Sequence, residues 1–262
     1  MKNFVMCAAA LCVASGAMAG LIDVRTGPGG GTHTQDGLLG ANEFGAGNSQ
    51  SYTGAGTGFG GTLGNGSIYM DSDASNLYVG YQAGNALNDL VVIYLNTSNS
   101  GGFTSSTQMD DASDGGRARS SDMMSQGTAS WAISAQYTFV IGNFGAVLFG
   151  LNGNGSAHTF LMYDGTYTGN GAGFREYSIS LASINALSSR SYIDWFSIYT
   201  SDSGYMSNES ISVQGFNAGG NLEFNNGGNN LVIENYNRYQ VPTPGALALA
   251  GLGGLMAGRR RR

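Results

Sequence analysis

Ser67–Gln82 reads SIYMDSDASNLYVGYQ, and after a short AGNALND link Leu90–Thr97 reads LVVIYLNT. In the first stretch Leu77, Val79 and Tyr81 alternate with Tyr78, Gly80 and Gln82, the period-2 pattern of a half-buried strand. Asp71–Asn76 is rich in Asp and Ser, which supply turns, so it joins two strands as a hairpin. Leu90–Leu95 is apolar at every position, which predicts a central strand buried on both faces. These segments set the expectation of an all-β fold.

Outward from this pair the same grammar repeats. Strand candidates are Ser67–Met70, Asn76–Gln82, Leu90–Asn96, Ala129–Ser134, Tyr137–Ile141, Ala146–Gly150, His158–Tyr163, Glu176–Leu181, Tyr192–Thr200, Ser210–Val213 and Leu231–Tyr236, separated by Gly, Asn, Ser and Asp. Only Leu181–Ser188 suggests a helical turn. The pattern predicts a β-sandwich, jelly-roll-like, with Gly/Asn/Ser-rich loops. Gly27–Gly31, Gly45–Gly66 and Asn217–Asn230 are too polar to need packing. Thr97–Ser125 reads as one long polar loop, of the kind that often carries function.

Both termini read as addresses. Met1-Lys2-Asn3 is a short basic start, Phe4–Val13 is apolar, and Ala17-Met18-Ala19 before Gly20 forms an A-x-A cleavage site. This predicts a signal peptide over 1–19 and export. Cys7 and Cys12 both lie inside it, so the remaining chain has no thiol chemistry. At the other end Val241, Pro242, Thr243, Pro244 and Gly245 form a proline motif that excludes helix. Ala246–Gly258 is apolar, about 13 residues or roughly 20 Å as a helix, short of the roughly 20 residues of a full span. Arg259, Arg260, Arg261 and Arg262 close the chain and mark a cytoplasmic stop. This assigns 20–240 to the sandwich body and 241–262 to a tail with transient membrane insertion.

The tail resembles a PEP-CTERM sorting signal of the VPTPG type. The resemblance implies recognition by an exosortase-type membrane enzyme, cleavage near the motif, and delivery to the envelope, cell surface or extracellular matrix of a bacterium. A second resemblance lies in the body. Asp36-Gly37 with Glu43-Phe44, then Ser67–Gln82, Leu90–Thr97 and EYSISLASI (Glu176–Ile184), resemble family 9-type carbohydrate-binding modules. It implies a non-catalytic accessory β-sandwich.

Without Lys2 and the terminal arginines, six basic residues, all Arg, face 17 acidic ones, a formal charge of −11. Such a body repels nucleic acid and suits cations or neutral polysaccharide. No G-x-S-x-G, H-E-x-x-H or P-loop occurs, the glutamates stand singly, and His33 and His158 lie far apart. The reading is therefore non-enzymatic. Asp110, Asp111 and Asp114, near Asp122, are candidate Ca²⁺ ligands, with a solvated acidic loop neutralised by Arg117 and Arg119 as the alternative. Asp71-x-Asp73-x-Ser75 has oxygen-ligand spacing but reads first as a hairpin turn. Trp131 and Trp195 fall in strands and read as core. Tyr52, Tyr167 and Tyr205 lie near loops and are candidates for stacking on sugar rings. Polysaccharide binding leads; a structural or adhesive matrix role and a glycan-active enzyme follow.

Overall fold

The computed structural model describes residues 21–26, 32–45, 48–54, 62–109, 113–123, 129–165, 173–186, 188–211 and 231–241. The signal peptide with Ala17, Ala19 and Gly20, and the tail from Pro242 through Arg262, lie outside them. Among the described residues no helix is long and apolar enough to cross a membrane.

The expected all-β sandwich is present, with antiparallel pairing predominant. In chain order the strands are β1 (Leu21–Thr26), β2 (Ser49–Ser51), β3 (Ser67–Ser72), β4 (Asn76–Gln82), β5 (Leu90–Asn96), β6 (Phe103–Ser105), β7 (Ala129–Ala135), β8 (Tyr137–Gly142), β9 (Gly145–Gly150), β10 (Thr159–Asp164), β11 (Phe174–Ser180), β12 (Tyr192–Thr200), β13 (Met206–Ile211), β14 (Leu231–Ile233) and β15 (Tyr236–Gln240). The large sheet runs β1-β15-β12-β5-β8-β9-β10. β13 shares one side of β12 with β15, pairing Ser197–Thr200 where β15 pairs Tyr192–Trp195. A second sheet runs β11-β4-β3-β2 and a third β14-β7-β6.

The all-apolar reading of β5 explains the layering. Val91, Ile93 and Leu95 face one core, shared with Leu77, Val79 and Tyr81 of β4. Leu90, Val92 and Tyr94 face a second core, shared with Trp131 and Ile133 of β7. The large sheet is thus covered on both sides, and Trp131 and Trp195 are core residues at 4% and 3% exposure. The β3–β4 hairpin is as expected. Asp73 Oδ1 accepts the N–H groups of Ser75 (2.7 Å) and Asn76 (2.7 Å), which makes Asp73 a turn former.

Three expectations need correction. Thr97–Ser125 is not one open loop: it contains β6 and 3₁₀ segments at Ser106–Gln108 and Gly116–Asp122. They are held because Met109 and Met123 are fully buried, and because the Tyr94 hydroxyl donates to the Ser121 carbonyl at 2.6 Å. Within Gly45–Gly66, β2 pairs with β3 and Leu63 is fully buried, so part of that stretch packs. The single strand expected over Leu231–Tyr236 divides at Glu234-Asn235. β14 joins the third sheet and β15 the large one.

The second core hinges on Phe196, fully buried and stacked on Tyr94 with ring centroids 4.6 Å apart. Phe196→Ala should cost about 3–5 kcal/mol through lost burial and a residual cavity. A urea unfolding curve checks this: the midpoint should fall clearly with little change in slope.

Candidate functional site

Of the tyrosines expected at loops, Tyr52 and Tyr205 are described, and neither presents an open ring face at a common site. Tyr52 is buried at 5% exposure, its hydroxyl hydrogen-bonded to Ser197 Oγ, so it offers no open ring face. Burial raises its pKa well above the usual phenol value. Tyr205 is half-buried, and its backbone N–H donates to Ser201 Oγ at 3.1 Å. Tyr167 lies outside the described residues, as do Asp110 and Asp111.

An aromatic strip occurs instead on β10, the edge of the large sheet. β10 pairs with β9 through a bulge: Phe160 sits opposite Phe149, Met162 opposite Leu148 and Tyr163 opposite Val147, with Leu161 as the extra residue. Opposed residues of an antiparallel pair share a face. The bulge therefore puts Phe160 and Tyr163 on one face, where a regular strand would place them on opposite faces. They stand about two residues apart along the partner strand, or about 7 Å. Met162 turns inward and packs on the first core. Phe149 and Val147 on the strip's face are buried, whereas Phe160 and Tyr163 beyond them are 61% and 55% exposed. Among the described residues the cover over this face thus ends at β9. Phe149 meets Phe160 edge-on at 6.4 Å, and the Tyr163 hydroxyl donates to the Phe144 carbonyl at 2.8 Å, so both rings are braced.

Asp114 goes somewhere the sequence did not indicate. Together with Asp122 and His158 it forms a buried group whose ligand-type atoms lie within 4.8 Å of one another. The backbone N–H of His158 donates to Asp114 Oδ1 at 2.7 Å. His158 Nε2 lies 2.8 Å from Asp122 Oδ1 and 3.4 Å from Asp114 Oδ2. Arg117 does not pair with these carboxylates; its guanidinium lies over the Phe144 ring at 3.4 Å.

A third cluster binds the opening segment to β4 and β11. Glu43 accepts N–H groups of Thr34 (2.9 Å) and Gly40 (2.8 Å), and Glu176 accepts those of Asp36 (3.2 Å) and Gly37 (3.0 Å). His33 stacks on Tyr78 at 3.9 Å and contacts Asp71 Oδ2 at 3.2 Å. His33, Gln35, Phe44, Tyr78 and Glu176 line a cleft. Burial and the facing Glu43 raise Glu176 to about 7. Burial also acts to raise Glu43, but the N–H groups of Thr34 and Gly40 outweigh it and hold Glu43 below its ordinary value. Through these backbone N–H groups the two carboxyl groups clamp the loop.

Comparison with protein-family models, with curated proteins and with solved structures gives no match.

The carboxyl pair predicts a pH dependence. Folded Glu176 keeps its proton up to about pH 7, whereas its ordinary value is 4.5. The folded chain therefore holds the extra proton between these values, and that contribution to stability is lost as pH rises through about 7. The thermal midpoint should fall over this window. Glu176→Gln, which can donate to Glu43 while still accepting from Asp36 and Gly37, should flatten the fall. Calorimetry across the window on both chains checks this.

Proposed function

We propose that this chain is an exported, envelope-displayed, non-catalytic β-sandwich that binds neutral polysaccharide along the β10 edge. The observation that carries the binding assignment is the bulge at Leu161, which sets Phe160 and Tyr163 side by side and open to solvent. Exposed aromatic rings give sugar rings an apolar face to stack on. The adjoining turn offers Asn154 and Ser156, both exposed, as partners for hydroxyl groups. An acidic, lysine-free body fits a neutral ligand better than an anionic one.

Export and sorting rest on the two terminal sequences. One structural fact bears on processing. Val241, the first residue of the proline motif, is 1% exposed, belongs to the first core, and donates its N–H to the Ser191 carbonyl at 2.8 Å. Cleavage by an exosortase-type enzyme C-terminal to Val241 leaves the fold intact, whereas cleavage before it removes a core residue.

A second reading, a structural or adhesive matrix protein, is favoured by the same edge. β10 ends the large sheet among the described residues, and an apolar edge strand is a template for strand addition by another copy.

Affinity electrophoresis against a panel of neutral polysaccharides separates the two. Retardation is expected, and Phe160→Ala with Tyr163→Ala should weaken it roughly tenfold or more while the thermal midpoint holds. No retardation, with concentration-dependent self-association in sedimentation that Leu161→Lys abolishes, would favour the adhesive reading.

A further inference from the structure

The Asp114–Asp122–His158 group poses a problem of proton supply. Asn152 donates its backbone N–H to His158 Nδ1 at 3.1 Å. Nδ1 is therefore an acceptor, and the ring carries its proton on Nε2. That proton points to Asp122 Oδ1 at 2.8 Å, with Asp114 Oδ2 farther off at 3.4 Å. Asp114 Oδ2 is left buried with no hydrogen-bond partner, on a side chain 1% exposed. A buried carboxylate oxygen without a donor is costly, and a cation removes that cost.

The imidazole's orientation also selects the kind of ion. An ion that prefers nitrogen, such as Zn²⁺, would bind Nε2 and require a proton on Nδ1. Asn152 N–H already occupies that direction. An ion that prefers oxygen can take the carboxylates and leave Nε2–H in place.

We propose that Asp114 and Asp122 hold a hard divalent cation of the Ca²⁺ type, with His158 orienting the carboxylates as an N–H donor and not as a ligand. The site joins two segments distant in sequence. Asp114 lies two residues before the 3₁₀ segment Gly116–Asp122 and Asp122 ends it, while His158 ends the turn that leads into β10. The ion therefore fixes the entry to β10, one residue before Thr159. This inference stands apart from the polysaccharide reading, since ion binding is measured without any sugar.

The test uses the purified full chain, stripped with EDTA and titrated with CaCl₂, with bound Ca²⁺ measured by equilibrium dialysis and the thermal midpoint followed in parallel. One Ca²⁺ per chain and a higher midpoint are expected. Asp114→Asn should lose both, and Asp202→Asn, a change at an exposed acidic residue, should lose neither. His158→Gln, which keeps an N–H donor, should retain Ca²⁺ about tenfold more weakly. Two results would overturn the proposal. One is no bound Ca²⁺ and a midpoint indifferent to Ca²⁺ in the unsubstituted chain, a result that does not depend on any variant folding. The other is Zn²⁺ displacing Ca²⁺ at equal concentration, with Zn²⁺ binding lost in His158→Gln.

Discussion

Burial of β5 on both faces is the constraint on which the rest depends. A strand with no polar face needs apolar partners above and below it. One side is closed by the β3–β4 hairpin and β11, the other by β7, β14 and the side chains of Met109, Ala118 and Met123. Those covers reach β5's neighbours β8 and β12, because these strands too have both faces buried. Hydroxyl groups within the layers are paired locally. Ser197 Oγ donates to the Val92 carbonyl at 2.9 Å, and Thr138 Oγ1 meets Ser121 Oγ at 2.7 Å. Apolar layers of this depth leave few places for polar chemistry, and those places lie at the margins.

The three clusters of interest occupy such margins. The Glu43–Glu176 pair lies where the opening segment crosses the hairpin sheet. The Asp114–Asp122–His158 group lies where the 3₁₀ segment meets the β9–β10 turn. The aromatic strip lies where the cover over the large sheet stops. The last two are neighbours in the chain, since His158 immediately precedes β10. An ion that fixes His158 would also fix the start of the strand that presents Phe160 and Tyr163. This gives the proposed polysaccharide edge a structural reason to be rigid, and a rigid aromatic pair loses little entropy on binding.

Much of the fold was legible in local pattern. β4, β5 and β12 appear with the bounds read from alternation and turn residues, because their periodicity and burial agree. Trp131 and Trp195 followed from their strands. What failed was whatever depends on distant partners. β6 is short and polar, and it pairs only because β7 lies beside it. The break at Glu234-Asn235 follows from two sheets competing for one apolar run. Tyr52 reads as a loop residue, yet a hydroxyl partner 145 positions away draws it inward. The site residues show the same division. Asp114 could be singled out from the acidic stretch, but its joining with His158 across 44 residues could not. Phe160 and Tyr163 fall within the strand expected over His158–Tyr163, which the structure places at Thr159–Asp164. Their common face depends on one bulge that leaves no mark in composition.

The doubly covered sheet is rigid in its middle and, among the described residues, leaves β10 open at its edge. Native-state hydrogen exchange tests this most directly. The account predicts that amides of Val91–Leu95 and Phe196–Ile198 exchange only through global unfolding. Amides on the unpaired side of β10 should exchange much sooner, through local opening. Protection along β10 equal to that of β5 would contradict the account, for it would mean that the edge is covered and the aromatic strip is not free to meet a ligand.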